Sequence, residues 1–109
     1  MKQELTFHND VDQNGNPHGG YVSGKGISIA WQAGPLGRGA VRKEPNGAFV
    51  EGVIQAAIGR LEFYQTASDG KFACEENGLV LHHLEEALAT LEKRTQERET
   101  REIEGTNNP

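Results

Sequence analysis

The last third of the chain, residues 74 to 105, is the sequence feature that most constrains the fold. Apolar side chains recur there every three or four residues, which predicts one long helix with a buried stripe, residues 74 to 104, and Gly105 can cap its C-terminus. The stripe consists of Val80, Leu84, Ala87, Leu88 and Leu91 and continues as Arg94, Arg98 and Arg101. At ~1.5 Å per residue this helix would be roughly 45 Å long, longer than a small domain is wide. We therefore expect something other than the subunit's own core to cover part of it.

Composition limits the classes of protein to consider. With 109 residues, 35% hydrophobic and 25% charged, the chain predicts a single small domain, residues 1 to 109. A net charge of −5 disfavours general DNA or RNA binding, although local arginines can hold a small anionic ligand. The single cysteine, Cys74, fits a reducing compartment, and no apolar run reaches the length of a membrane span or signal peptide. We expect a cytoplasmic protein without membrane contact.

Residues 4 to 31 predict a small antiparallel β-meander. Residues that favour strands cluster between glycines at 21 to 23 and 27 to 31, after a short fragment at 5 to 7. The interval 8 to 20 is rich in Asn, Asp, Gly and Pro, which is turn chemistry. The sequence therefore assigns that interval to a turn.

One part of this turn imitates a calcium-binding loop. Asp10, Asp12, Asn14 and Gly15 follow the opening of an EF-hand, in which oxygen ligands alternate before a glycine. The twelfth position is Tyr21 rather than the bidentate glutamate, and no amphipathic helix precedes the loop. We therefore favour an Asn-Gly hairpin turn over a metal site.

A glycine-rich, basic loop occupies residues 34 to 39. Its sequence is Gly-Pro-Leu-Gly-Arg-Gly, and Arg42 and Lys43 follow it closely. Such a loop ahead of a helix could cradle phosphates with its backbone N–H groups. It lacks the Gly-Lys-Ser/Thr ending of a nucleoside-triphosphatase loop, so an ordinary connecting loop is the alternative.

Residues 48 to 65 predict a first helix, with Asn46 as its N-cap. Its apolar stripe consists of Val50, Val53, Ile54, Ala57, Leu61 and Tyr64. Gly52, Ala56 and Gly59 form a second line of small residues that would let another backbone approach. A short turn at 66 to 71 then makes the two helices an antiparallel hairpin, residues 46 to 105. Phe72 follows the turn, as a hydrophobic staple or as a stacking platform for a base.

The inventory of catalytic residue types is small. His82 and His83 are adjacent on a helix, so they point to different faces and do not chelate a metal in the usual i, i+4 manner. We interpret them as packed or hydrogen-bonded helix residues. Glu85, Glu86 and Glu92 read as a solvated face. We therefore expect no enzyme activity and no cofactor.

Several spaced motifs resemble a group of small phage and prophage proteins. The matching stretches are 34 to 39, 44 to 54, 63 to 65, 72 to 77, 83 to 88 and 94 to 106, among them Glu-Pro-Asn-Gly-Ala-Phe-Val-Glu, Phe-Tyr-Gln and Phe-Ala-Cys-Glu-Glu-Asn. That group is similar to the first family of Thoeris anti-defence proteins, which are related through their helical hairpin to the anti-CBASS nucleotide sponges. The resemblance covers roughly residues 20 to 107. The stretch Arg101-Glu102-Ile103 departs from the glycine-containing segment expected there, so the local helix ending and the role of Arg101 stay open.

The resemblance implies a non-enzymatic sponge that holds an immune signal without cleaving it. The implied ligand is a cyclic ADP-ribose isomer, with cyclic di- or trinucleotides as further ligands, and the implied assembly is a dimer or hexamer with ligand near subunit interfaces. A ligand with a pyrophosphate and a base needs cations and flat surfaces. The candidate ligand residues are Phe72, Arg94 and Arg98, with Asn77, Arg38, Arg42 and Asn46 as secondary candidates.

The sequence thus predicts an α+β fold in which a β-rich part, residues 4 to 45, precedes the helical hairpin and a frayed tail. The alternative function is a structural or protein-interaction module that docks through its hairpin, with the arginines in salt bridges to glutamates. A nucleotide hydrolase is disfavoured because no activated nucleophile is visible.

Overall fold

The computed structural model describes all 109 residues. A three-stranded sheet precedes two long helices, which confirms the predicted α+β fold of a meander followed by a helical hairpin. The elements are β1, Thr6–Val11; β2, Pro17–Gly24; β3, Ile27–Ala30; a short 3₁₀ helix, Gly39–Val41; α1, Val50–Gly70; and α2, Glu75–Thr100.

The chain forms two compact units. The sheet unit comprises residues 1 to 49 and 99 to 109, and the helical unit comprises residues 50 to 98. The C-terminal residues therefore belong with the sheet and the glycine-rich loop. The backbone N–H of Gly37 donates to the carbonyl oxygen of Gly105 at 2.8 Å, so the chain is held to the loop at the residue just before the predicted tail.

The sheet is antiparallel, with the strand order β1-β2-β3. Phe7 faces Val22 across β1 and β2, and Val22 faces Ile29 across β2 and β3. Strand β1 extends to Val11 and β2 begins at Pro17, so the turn predicted for 8 to 20 is confined to its middle. Cross-strand pairing outweighs the turn-forming composition of these residues. Val22, 8% exposed, is one of the most buried apolar side chains.

The β1–β2 turn is built around the carboxylate of Asp12. One oxygen accepts hydrogen bonds from the backbone N–H groups of Asn14, at 2.8 Å, and Asn16, at 3.0 Å. Gly15 takes the positive φ of +80° that the turn requires. The hydrogen bond from the Asn16 backbone is the largest cause of the lowered pKa of Asp12. The Asn14-Gly15 turn is confirmed.

A second polar clamp follows β3. The backbone N–H of Asn46 donates to Oε1 of Gln32 at 2.8 Å, and Oδ1 of Asn46 accepts from the N–H of Ala33 at 2.9 Å. Next to the clamp, Trp31 forms an isolated bridge with Ala48. Asn46 is therefore not the N-cap of α1, because its side chain is held at the end of β3 and the helix begins only at Val50.

Helical dihedral angles in α1 stop before Ala67, whose ψ is 144°. Ser68 and Asp69 then adopt positive φ values of 52° and 56°, which places the turn within the predicted interval 66 to 71. The half-buried stripe of α1 runs through Ile54, Ile58, Leu61 and Gln65. The predicted stripe is wrong at Val50, Ala57 and Tyr64, which are exposed. The observed spacing is that of a 3.5-residue repeat, the period of helices that pack along their length.

Helix α2 ends at Thr100, earlier than the predicted residue 104. The left-handed conformation falls on Glu102, with φ +60°, before the chain reaches the predicted cap Gly105. Its half-buried positions are Asn77, Leu81, Leu84, Leu88, Leu91, Thr95 and Arg98. The predicted stripe is wrong at Val80, Ala87, Arg94 and Arg101, which are exposed. Neither helix contains a fully buried side chain, and neither combines the length and apolar character of a membrane span.

Candidate functional site

The turn between the helices is closed by the side chain of Gln65. Its amide nitrogen donates to the carbonyl oxygen of Cys74 at 3.1 Å, and its amide oxygen accepts from the N–H of Cys74 at 2.9 Å. These two hydrogen bonds close the segment between Gln65 and Cys74, which contains Phe72. The role of Gln65 was not predicted from the sequence. A polar residue that continues the spacing of Ile54, Ile58 and Leu61 could have indicated it.

Phe72 presents its ring to solvent beside a cation. Its side chain is 58% exposed, and Nζ of Lys71 lies 5.4 Å from the ring centroid. This exposure disfavours the staple interpretation, since a staple buries its ring against a neighbouring side chain. Asn77 lies in the first turn of α2, half-buried, and its backbone N–H donates to Sγ of Cys74 at 3.4 Å. An exposed ring next to an ammonium group suits a planar, anionic ligand.

Arg94 and Arg98 lie one helical turn apart near the other end of α2. Residues at i and i+4 are neighbours on a helix surface, so both guanidinium groups can reach one anionic group. Arg94 is exposed, whereas Arg98 is half-buried and continues the stripe of Leu91 and Thr95. The helix therefore sets these two predicted residues one turn apart and gives them different surroundings.

The two parts of the helical unit are far apart within one chain. Helix α2 starts at Glu75, just after Phe72, and at ~1.5 Å per residue Arg94 lies roughly 28 Å along its axis. That distance exceeds what a nucleotide-sized ligand can bridge. Phe72 and Asn77 on one side, and Arg94 and Arg98 on the other, do not form one site within a single copy.

Arg38 and Arg42 hold the C-terminal segment. Arg42 donates from Nη1 and Nη2 to the two carboxylate oxygens of Glu104, at 2.7 and 3.1 Å, and from Nη1 to the carbonyl oxygen of Gly37 at 3.2 Å. The hydrogen bond to Glu104 raises the pKa of Arg42 above its usual value. Nη1 of Arg38 donates to the backbone oxygen of Glu104 at 2.9 Å. The glycine-rich loop thus directs both arginines and the N–H of Gly37 to the chain's own residues.

The two histidines are exposed side chains of α2. Nε2 of His82 lies 3.1 Å from Oε1 of Glu86, one turn further along the helix. The rings of His82 and His83 are 5.8 Å apart and inclined by 57°. The exposure of both rings shows that the packed interpretation of these histidines is wrong. Glu85, Glu86 and Glu92 are exposed, as the sequence predicts for a solvated face.

A cation and two aromatic rings form a further cluster on α1. The guanidinium carbon of Arg60 lies 5.2 Å from the ring centroid of Phe63 and 4.8 Å from that of Tyr64. Nε of Arg60 donates to the hydroxyl of Tyr64 at 3.1 Å. Phe63 is 53% exposed and Tyr64 38%. Sequence reasoning missed this cluster because it assigned Tyr64 to the buried stripe.

Comparison with known proteins places these helices in a described family. The family described as Acb2/Tad1, hairpin domain, matches residues 26–96. The protein named Thoeris anti-defense 1 of Bacillus phage SBSphiJ7 is 39% identical over 84 residues, which is 77% of this chain. The aligned region covers 54% of that relative, so the chain spans about half its length. The match to the hairpin domain covers most of the chain, and the chain belongs to the Acb2/Tad1 hairpin-domain family.

Proposed function

We propose that this protein is a phage anti-defence sponge. It binds a cyclic nucleotide-type immune signal and sequesters it without cleavage, which keeps the signal from activating Thoeris or CBASS effectors in the host cytoplasm. Membership of the hairpin-domain family and the likeness to a protein named Thoeris anti-defense 1 support this function. The observation that carries the proposal is the pairing, on one family hairpin, of an exposed aromatic ring at one end with two adjacent guanidinium groups at the other.

The ligand that suits these residues is a cyclic ADP-ribose isomer, with cyclic di- and trinucleotides as further ligands. Arg94 and Arg98 would pair with the phosphate oxygens, because guanidinium groups donate in the planar geometry that phosphates accept. Phe72 would stack on a base, which is tolerant of base identity. The amide of Asn77, a short distance along the chain, would donate to a base edge or ribose.

We propose that the site is completed by a second copy of the chain. In one copy Arg94 lies roughly 28 Å along α2 from Glu75, where the helix begins just after Phe72. A ligand that uses both Phe72 and Arg94 therefore needs two helices side by side in opposite directions. The helical unit has surface for such an assembly, since neither helix has a fully buried side chain. At Gly52 and Gly59 an added Cβ would meet nothing within 4 Å, so the small-residue line is open to an approaching helix. The expected assembly is a dimer or a hexamer.

Arg38, Arg42 and Asn46 have a lesser part in this proposal. Each already makes hydrogen bonds within the sheet unit, to Glu104 or to the end of β3. Their first role is to order the C-terminal segment and the loop before α1. If these three residues contacted a ligand, they would use only the N–H groups that do not take part in these hydrogen bonds.

The test is ligand capture followed by release. The purified protein is incubated with cyclic ADP-ribose isomers and with cyclic di- and trinucleotides, washed, heated, and the released compounds are identified by mass spectrometry. We expect one or more cyclic compounds to be retained and recovered intact. Retention of none, or recovery of linear products, contradicts the proposal.

A second candidate function is a protein-interaction module. The exposed cluster of Arg60, Phe63 and Tyr64 favours it, because Arg and Tyr are enriched among residues that dominate binding energy at protein interfaces. Replacing Arg60 and Phe63 by alanine separates the two functions. A sponge retains its nucleotide after these changes, whereas an interaction module loses its protein partner.

A further inference from the structure

Strand β1 is the uncovered edge of the sheet. The opposite edge, β3, is continued by the Trp31–Ala48 bridge and by the clamp of Gln32 and Asn46. All six residues of β1 are exposed, including the large apolar side chains Phe7, 67%, and Val11, 64%. The strand has no lysine or proline, the residues with which natural edges are usually blunted. Residues 6 to 11 also precede the region that matches the hairpin-domain family.

The backbone of β1 is regular and its outward groups can be assigned. The carbonyl oxygen of Gly20 accepts from Trp31, so Gly20 directs its backbone groups toward β3. Asn9 faces Gly20 and must therefore direct its own N–H and carbonyl away from β2. By alternation Phe7 and Val11 do the same. The register shift between β1 and β2 places the extra residue on β2, because two steps from Asn9 to Val11 face three steps from Gly20 to Pro17.

We propose that β1 pairs antiparallel with β1 of a second copy, in the register that sets Asn9 opposite Asn9. This register joins outward-facing residues to outward-facing residues, so each such pair exchanges two backbone hydrogen bonds. It places Phe7 opposite Val11 of the second copy, which covers both exposed apolar side chains. It also places His8 opposite Asp10 of the second copy, and their side chains already attract one another within one strand, at 2.7 Å.

The two neighbouring registers that the backbone permits, centred on His8 or on Asp10, fit less well. Setting His8 opposite His8 would pair Phe7 with Asn9 and leave Val11 without a partner inside the strand. His8 would then face His8 instead of Asp10 of the second copy, so the attraction between imidazole and carboxylate across the strands is lost. Setting Asp10 opposite Asp10 would bring two carboxylates together, which is destabilising, and would leave Phe7 without a partner inside the strand. The Asn9-centred register joins the sheets of two copies into one continuous sheet about a twofold axis. This contact is independent of the helix contacts that the sponge function uses.

Cysteine cross-linking tests the register directly. In a background carrying Cys74→Ser, which removes the exposed thiol, Asn9→Cys would place two Cα atoms about 5.5 Å apart across the twofold axis. That spacing lies within the range of a disulfide, whereas His8→Cys would sit on the diagonal, about 7–8 Å from its counterpart. We expect Asn9→Cys to form a covalent dimer under mild oxidation and His8→Cys to form at least tenfold less. Equal cross-linking of the two, cross-linking of His8→Cys alone, or of neither, overturns the proposal.

Proline substitution tests the interface without a new bond. Asn9→Pro removes an outward N–H, so it removes a bond to the second copy and leaves the β1–β2 ladder intact. His8→Pro is the matched control, because the N–H of His8 points into the ladder. We expect light scattering to show that Asn9→Pro lowers the mass of the assembly by half while circular dichroism is unchanged, and that His8→Pro disturbs the sheet itself. An unchanged mass for a folded Asn9→Pro variant overturns the proposal, whatever nucleotide the protein binds.

Discussion

The guanidinium of Arg42 holds both carboxylate oxygens of Glu104, at 2.7 and 3.1 Å, across 62 residues of sequence. This bidentate pair, together with the bond between Gly37 and Gly105, fixes the C-terminal segment on the glycine-rich loop. An arginine and a carboxylate match each other in planar geometry, so the pair gives orientation as well as attraction. The segment that follows α2 is therefore a structural part of the sheet unit.

Neutralising Glu104 should loosen this segment. Glu104→Gln keeps the shape of the side chain but removes the charge that the guanidinium binds, so we expect faster hydrogen exchange at the amides of residues 103 to 106. Glu102→Gln, at an exposed residue beside it, is the control and should leave exchange unchanged. Equal protection of the segment in both variants would show that the Arg42–Glu104 pair does not hold it.

Removing the Gln65 clamp should lower the stability of the helical unit. Gln65→Met keeps the length of the side chain but loses both bonds to the Cys74 backbone, each worth about 0.5–1.5 kcal/mol. We expect urea denaturation to show a loss of about 1–2 kcal/mol in the free energy of unfolding. Gln55→Met, at an exposed position of α1, should change it by less than about 0.5 kcal/mol. An equal effect of the two substitutions contradicts a clamp at Gln65.

The sequence predicted the elements better than their faces. The helices and the meander follow from hydrophobic period and turn residues, which act locally. The predicted stripe of α1 has the same 3.5-residue spacing as the half-buried residues Ile54, Ile58, Leu61 and Gln65. It is wrong in phase, because Ala57 and Tyr64 lie one position before the half-buried Ile58 and Gln65. A shift of one position along a helix turns the assigned face by about 100°, since 3.6 residues complete a turn.

Long-range polar pairs were the other part that the sequence did not predict. Asn46 is a residue type that often caps helices, yet its side chain accepts a hydrogen bond from the N–H of Ala33. Arg42 is a residue type that often binds phosphate, yet it binds Glu104. Ala33 is not spaced from Asn46, nor Glu104 from Arg42, by the repeat of a helix or a strand, so no local pattern predicts these contacts. The sequence therefore indicated which residue types could form a binding site, but it did not indicate which other residues of the chain those side chains already bind.

Acid should weaken the β1–β2 turn at a pH set by Asp12. Its pKa is lowered from 3.8 by hydrogen bonds from the backbone of the turn, so the folded state favours the carboxylate. The contribution of this group is then fully present above about pH 3.8 and is lost as pH falls through the lower native pKa. The amide resonances of Asn14 and Asn16 should titrate together with a midpoint below 3.8. The variant Asp12→Asn should abolish that titration, and a midpoint at or above 3.8 contradicts the assignment.

Replacing Phe72 should weaken ligand binding without unfolding the protein. The ring is 58% exposed, so its removal costs little packing, whereas a stacked base loses about 1–3 kcal/mol. We expect calorimetry to show a dissociation constant that is larger for Phe72→Ala by about five- to 150-fold. Phe72→Trp, which keeps a stacking face, should restore most of the affinity. A weakened Phe72→Trp variant with an affinity equal to that of Phe72→Ala would argue against stacking.

Replacing the arginines of α2 tests the phosphate contact. Arg98 is half-buried, so Arg98→Met is the informative change, because methionine keeps the apolar stem and removes only the guanidinium. If Arg98 binds phosphate, the variant should lose about 1.5–3 kcal/mol of affinity, the contribution of a hydrogen bond to a charged group, which is roughly a ten- to hundredfold change in dissociation constant. Arg94→Lys keeps the charge at the exposed position but loses the planar pairing, and should weaken binding less.

The control for both arginines is Lys93→Ala, which removes a cation from the exposed position next to Arg94. It should change affinity for the cyclic nucleotide by less than about threefold, since Lys93 lies about 100° around the helix from Arg94 and salt screens exposed charges that do not contact the ligand. Mixing Arg98→Met chains with Phe72→Ala chains adds a test of the site between copies. Mixed dimers contain one composite site with both residues intact and one with neither. Random exchange in an equal mixture makes about half of the dimers mixed, so calorimetry should recover about a quarter of the wild-type binding sites at full affinity. No recovery in the mixture, with both variants folded and able to associate, would show that Phe72 and Arg98 do not act on the same ligand.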